Sequence, residues 1–116
     1  AARSVAGRVG ALAQQVGMQV AGVIENMSEL VCPHCAQPST LFGAGGGEQL
    51  AAEIGCEVVG KIPVDVALRE SGDRGVPVVV ACPESASALA LCTAAARLRP
   101  ARRPLVGRSL DLTPRA

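Results

Sequence analysis

Met18-Gln19-Val20-Ala21-Gly22-Val23-Ile24 is the stretch on which the fold class turns. Apart from Gln19 it is apolar throughout, and Val20, Val23 and Ile24 are β-branched. Such a run suits a strand buried on both faces of a parallel sheet. The first strand is therefore placed at about Met18–Glu25. Upstream, Val5, Val9, Leu12, Ala13 and Val16 recur at helical spacing and Gly17 follows, which predicts an amphipathic helix over Ser4–Val16. Downstream, a polar and glycine-rich passage runs from Asn26 to Gly46, and a short helix, Gly47–Ile54, ends at Gly55. Glu57–Ile62 is the second predicted strand, stopped by Pro63, after which Asp65 caps a helix through Leu68 to about Ser71. Val76–Val80 reads as a short extended piece, and Pro83 takes the first position of a last helix over Glu84–Leu98. Strand, helix, strand, helix makes the class α/β with a right-handed crossover. Two or three short strands leave both sheet edges unpaired, so part of a larger domain is expected. No internal repeat is present.

The 116 residues suffice for one small domain, and a hydrophobic content of 49% is that of a globular chain. Most of that fraction is Ala and Val, with Phe42 the single aromatic residue. A core without aromatics buries little area per residue, so marginal stability is expected. No apolar run approaches the roughly 18 residues of a membrane-spanning helix. The first residues, Ala1-Ala2-Arg3-Ser4, carry neither an initiator Met nor a basic-then-apolar leader, so the stretch is expected to begin inside something longer and to lack an export signal. Net charge is only +1, yet Arg97, Arg99, Arg102, Arg103, Arg108 and Arg115 face Asp111 alone in the last twenty residues. We divide the chain into 1–98, the folded part, and 99–116, a flexible basic tail. Nucleic-acid binding is not expected of that tail, because no aromatic side chain accompanies it to stack on bases.

Cys32-Pro33-His34-Cys35 is the sharpest chemical feature. Two thiolates at this spacing grip one metal ion or one edge of a cluster, since the intervening turn brings both sulfurs to one side. One pair supplies two ligands, and such sites ordinarily need four. Cys56, Cys82 and Cys92 are isolated in apolar or Ala-rich stretches and read as buried structural thiols, while His34 is expected to point away from any metal. A second copy of the pair across a two-fold axis completes the set most simply. Two alternatives use the same four residues: a zinc-stapled interaction module, and a thiol–disulfide oxidoreductase. The second is disfavoured because Pro38 prevents a helix from continuing beyond Cys35. Five cysteines, an odd number, argue against a closed disulfide framework and for a reducing, cytoplasmic location.

Several linked stretches taken together resemble a known family. Gly22-Val23-Ile24-Glu25-Asn26-Met27-Ser28, Cys32-Pro33-His34-Cys35 and Leu41-Phe42-Gly43-Ala44-Gly45-Gly46-Gly47-Glu48 are followed by Gly60-Lys61-Ile62-Pro63-Val64-Asp65. Leu68-Arg69-Glu70-Ser71-Gly72-Asp73 and Gly75-Val76-Pro77-Val78-Val79 complete the series. In this order and spacing they look like the C-terminal part of the ApbC/Mrp family of iron–sulfur cluster carriers. These are deviant P-loop ATPases related to MinD, ParA and nitrogenase iron protein. The match runs from about Met18 to Leu98.

The resemblance implies a partial parallel-sheet P-loop NTPase domain, Rossmann-like and three-layered, lacking its N-terminal half. It implies a 4Fe–4S cluster bridging Cys32 and Cys35 of two subunits, delivery of that cluster to apo iron–sulfur proteins, and control by ATP with Mg²⁺ in the full-length protein. Asn26, at the end of the first strand, matches a position whose amide meets the adenine edge; a turn-stabilising Asn is the plainer reading. Pro63 and Asp65 lie in the turn that packs against the base in relatives, and helix capping is the plainer reading of Asp65. The family's phosphate-binding loop, with its two Lys, is not found in these 116 residues. Gly43–Gly47 is no substitute, since no Lys-Ser/Thr follows and Glu48 would repel phosphate, so it reads as a hinge. This stretch alone is therefore not expected to hydrolyse ATP, and no membrane association is expected.

Overall fold

The structure is a computed structural model and describes residues 2–32, 34–35 and 37–98. The described elements are α1 (Ala2–Gln15), β1 (Val23–Val31), β2 (Pro38–Ser39), α2 (Gly46–Ile54), β3 (Val58–Val64), α3 (Val66–Asp73), α4 (Val78–Ala81) and α5 (Ala86–Arg97). The expected basic tail, 99–116, lies outside the described residues. The sheet has the order β2-β1-β3. β1 and β3 run parallel, with α2 between them in sequence, which is the α/β crossover expected. β2 adds an antiparallel edge that the sequence reading missed, so the sheet is mixed.

The first strand lies later than expected. Gly17 and Met18 terminate α1: the Gly17 N–H donates to the Gln14 carbonyl at 3.1 Å and the Met18 N–H to the Ala13 carbonyl at 2.8 Å. That pair of bonds is a Schellman cap, and it uses the backbone donor that a strand beginning at Met18 would need. Pairing starts at Val23↔Val58 and continues through Ile24↔Gly60, Glu25↔Lys61 and Asn26↔Ile62. β1 then runs on through Asn26–Val31, into the passage expected to be polar and glycine-rich rather than strand. Nor is it buried on both faces, for Ile24 is 44% exposed.

Three further expectations change at proline and serine. β3 continues through Pro63 to Val64 because Pro63 has no registered partner, so its missing N–H breaks no bond of the ladder. Val78–Ala81, expected to be extended, forms one helical turn after Pro77. The last helix starts at Ala86 rather than Glu84, because the Ser85 hydroxyl accepts the Ala88 N–H at 3.2 Å and fixes the cap there. α2 begins at Gly46, one residue before the expected Gly47, so the glycine-rich hinge gives its last two residues to the first turn of the helix.

Alternation along β3 distributes the helices on two faces. Lys61 pairs with Glu48 of α2 on one face, while Gly60 lies against Ala94 of α5 on the other. Leu50 and Ala51 of α2, Val59 and Ile62 of β3, Val78, and Ala88 and Ala94 of α5 form the buried apolar core. Cys56 and Cys82 are only half-buried, and Cys92 is exposed on α5, so the expectation of a core position fails for Cys92.

α1 packs with the face opposite to the one its periodicity advertises. Val5, Val9, Leu12 and Val16 are 57–63% exposed, whereas Gly10 is buried against α2. A Cβ at Gly10 would lie 2.5 Å from Ile54 Cδ1 and 2.8 Å from its Cγ1. The glycine side thus admits the Ile54 side chain, and the Gln14 amide donates to the Ile54 carbonyl at 2.9 Å. Gly10→Ala is expected to destabilise: overpacking of about 1–3 kcal/mol exceeds the roughly 1 kcal/mol of helix propensity that Ala returns. Val9→Ala, on the outer face, is expected to stay within about 0.5 kcal/mol of the parent. Urea unfolding followed by circular dichroism compares the two, and equal midpoints would place the packing face elsewhere.

Candidate functional site

β1 overruns the sheet and turns back as β2, with Leu30↔Ser39 and Val31↔Pro38 in register. The Cys32 N–H donates to the Gln37 carbonyl at 3.0 Å and closes the loop that carries both cysteines. Cys32 is half-buried and Cys35 exposed. The Cys32 thiol is held below its usual range, first by the Cys35 backbone N–H, then by the His34 N–H and the Cys35 thiol. These donors stabilise a sulfur anion, the form that binds metal and attacks electrophiles. Among the described residues, no group of three or more His, Cys, Asp or Glu side chains is placed to hold a metal ion. The loop therefore offers two sulfurs at a hairpin tip. Phe42, just beyond β2, is 71% exposed.

Asn26 stands where β1 and β3 part company. The register is regular to Asn26↔Ile62 and skips before Leu30↔Val64. Met27, in the skip, has φ 55°, the only non-glycine residue in the left-handed region among those described. The Asn26 Oδ1 accepts the Met27 N–H at 2.9 Å, and the Ser28 hydroxyl donates to the Ile62 carbonyl at 3.2 Å across the irregularity. A β-strand residue in that conformation carries strain, which structures keep where a side chain must be aimed. Asn26 is exposed, and Pro63 is half-buried one residue beyond the position opposite it. From Asn26 to Cys32 the chain advances six residues, about 20 Å at the strand rise, so the two candidate sites are separate.

Asp65 ends β3 and joins two helix starts. Its Oδ1 accepts the Ala67 N–H at 2.8 Å, capping α3. Its Oδ2 accepts the Ser87 hydroxyl at 2.7 Å and the Ser87 N–H at 3.1 Å, at the start of α5. Ser87 is fully buried. The Ser87 hydroxyl is the main cause holding the Asp65 carboxyl below the usual range, with the backbone N–H groups of Ser87 and Ala67 adding to it and burial opposing. Asp65 thus lies at the carboxyl end of the strand, where it was expected, with both oxygens engaged by the protein.

Glu25 was missed by the sequence reading. Its Oε1 accepts the Gly47 N–H at 3.1 Å, at the start of α2, and its Oε2 lies 3.7 Å from Lys61 Nζ. Lys61 also pairs with Glu48. That second pair holds the Glu48 carboxyl below and the Lys61 ammonium above their usual ranges. A Cβ at Gly47 would meet Glu25 Cβ at 3.0 Å, so the close approach requires glycine there. The available signal was a carboxylate on a strand followed by glycines opening the next helix.

The ParA family model, described as NUBPL iron-transfer P-loop NTPase, matches residues 1–99. The chain belongs to this family. It is 45% identical over 86 residues to an iron-sulfur cluster carrier protein of Synechocystis, covering 73% of this chain and 24% of that protein. A protein of the same description from Mycobacterium bovis is 42% identical and covers 98% of this chain and 31% of its own length. An Arabidopsis thaliana relative, an iron-sulfur protein required for NADH dehydrogenase, mitochondrial, is 46% identical over 61% of this chain and 23% of its own. Among solved structures, a nucleotide-binding protein from Archaeoglobus fulgidus in complex with ADP has a TM-score of 0.49 and 35% identity, covering 56% of this chain and 27% of that one. The chain spans about a quarter to a third of the length of the curated relatives it matches.

The Asp65 network predicts a pH signature. Asp65→Ala is expected to cost about 1–3 kcal/mol, the range for a lost cap together with the lost bonds from the buried Ser87 to a carboxylate. Because the folded carboxyl titrates below its unfolded value of about 3.9, its contribution is full above that pH and fades as pH falls through the lowered folded value. Urea midpoints of parent and variant should differ at pH 7 and converge in acid. A difference independent of pH down to full protonation would assign the loss to something other than the carboxylate.

Proposed function

We propose that this chain is the cluster-binding portion of an iron–sulfur cluster carrier, with a 4Fe–4S cluster as its cargo. Cys32 and Cys35 hold one edge of the cluster and the same pair of a second copy holds the other. The observation that carries this reading is the sulfur pair itself: two adjacent thiols, one already acidified by backbone donors, at the tip of a hairpin in an iron-transfer family. A cubane cluster takes four thiolates, and the described residues offer no third ligand beside this pair. A two-fold arrangement supplies the remainder and leaves the cluster open to recipient thiols, as release to apo iron–sulfur proteins requires. The thiol–disulfide alternative lacks its usual support, since the pair lies between two strands rather than at a helix N-terminus.

ATP with Mg²⁺ controls the carrier in the full-length protein. Asn26 and Pro63 suit the base end of a nucleotide, Pro63 near the carboxyl end of β3 and Asn26 at the register shift of β1 beside it, next to the left-handed Met27. Asp65 serves that end by fixing the turn after Pro63 between two helices. The phosphates belong to residues outside this sequence, and so does hydrolysis. A reducing compartment, the cytoplasm, suits five cysteines with no disulfide among them.

Anaerobic reconstitution of the full-length protein tests the ligand assignment. About four irons and four sulfides per dimer are expected. Cys32→Ser or Cys35→Ser should each abolish the cluster and cluster-dependent dimerisation, while Cys56→Ser, Cys82→Ser and Cys92→Ser retain both. One cluster per monomer, zinc in place of iron and sulfide, or a full cluster in Cys32→Ser would overturn the reading.

A further inference from the structure

The excursion that carries the cysteines leaves the sheet along β1 and returns through β2 and a glycine-rich stretch to α2. Its outgoing and returning limbs are joined near the tip by the β1–β2 ladder and at the base by the Glu25 carboxylate, which accepts the Gly47 N–H at 3.1 Å. Glu25 is directly opposite Lys61 in the parallel ladder, and Lys61 ties it both to β3 and, through Glu48, to the first turn of α2. The next rung is Asn26↔Ile62, followed on β3 by Pro63. The clamp therefore stands one residue from the proposed base contact on β1 and two from the one on β3. It also closes the loop on which both sulfurs ride. Gly47 is the residue that permits this approach, because a side chain there would press on Glu25 Cβ and Cδ at 3.0–3.1 Å.

We infer that Glu25 is a positioning residue that couples the nucleotide end of the site to the cysteine hairpin, by clamping Gly47 and Lys61 at the base of the excursion. The inference rests on the nucleotide-controlled carrier reading above. A shift of the Asn26–Ile62 rung moves Glu25 and Lys61 as its immediate neighbours on the two strands. Because Glu25 also holds the start of α2, the glycine-rich stretch between β2 and α2 is tied to β1 at its base, as β2 already is at the tip. The cysteine loop is then displaced as a unit, and the bite between its sulfurs and those of the second copy changes. Lys61 is half-exposed, and an ammonium so placed adds little to stability, so its role is to orient the Glu25 carboxylate rather than to hold the fold.

The test uses the full-length protein, reconstituted anaerobically, and three readouts: iron per protein, ATP affinity, and the rate of iron loss to a ferrous chelator with and without saturating MgATP. For the parent, MgATP is expected to change the rate by about fivefold or more, the ordinary range for a coupling between sites. In Glu25→Ala that ratio should fall to within about twofold of unity, while iron content and ATP affinity each stay within about threefold of the parent. Glu25→Gln keeps an acceptor for the Gly47 N–H and should restore part of the ratio. Gly47→Ala, which pushes the carboxylate away without removing it, should behave like Glu25→Ala, and it decides the matter if Glu25→Ala does not hold a cluster. An unchanged ratio in Glu25→Ala overturns the coupling role alone. Loss of the cluster in all three variants makes the clamp merely structural and overturns it too. A parent ratio of one removes nucleotide control itself, and the inference falls with that reading.

Discussion

The parallel ladder between β1 and β3 sets Glu25 against Lys61 and Asn26 against Ile62, and the rest of the described structure is arranged around those rungs. On one face of the sheet Lys61 and Glu25 receive the first turn of α2; on the other, Gly60 lets Ala94 of α5 close down onto β3. At the carboxyl end, Pro63 and Asp65 follow at once. Beyond Asn26↔Ile62 the left-handed Met27 shifts the register, and β1 meets β3 again at Leu30↔Val64 before continuing outward to Cys32. A one-residue slip would exchange the faces of every side chain in β3, directing Lys61 at the Ala94 side of α5 and leaving Glu25 without its cation.

Asp65 illustrates how a residue that looks like a ligand contact is engaged by the scaffold around it. Its carboxylate receives three donors, two of them from a fully buried serine, and it ties the starts of α3 and α5 to the end of β3. Burying the Ser87 hydroxyl without that acceptor would cost about 1–3 kcal/mol, comparable to the cap itself. No buried side-chain polar atom among the described residues is left without a partner, and the polar interior depends on pairs of this kind. The turn at Pro63 is consequently stiff where the strand ends, the place at which open α/β sheets take their ligands.

α1 shows the opposite economy. Its large apolar side chains face outward while a glycine seats Ile54, although the family model takes in the helix from its first residue. The curated relatives extend well beyond the length this chain covers. An apolar stripe of this regularity is the pattern of a helix with a packed face, and within the described residues the packing falls on the other side.

The α/β class, the parallel pair with a helix between, the cap at Asp65 and the cysteine pair were all legible in the sequence, because each rests on local chemistry. β-branched runs and a carboxylate before a helix state their roles within a few residues, and the spacing of two thiols marks them as a candidate pair. The end of β1, the β2 edge, the helical turn at Val78–Ala81 and the passage of β3 through Pro63 were not legible. The start of β1 was set by a backbone donor already in use, Met18 in the α1 cap, and the length of β3 by the fact that Pro63 faces no partner. The same holds at the candidate site. Cys32 and Cys35 were named by their spacing, but the acidified Cys32, the strain beside Asn26 and the hold of Glu25 on Gly47 required the tertiary structure. Sequence determines what a side chain is able to bond; only the fold determines which of those bonds are already made.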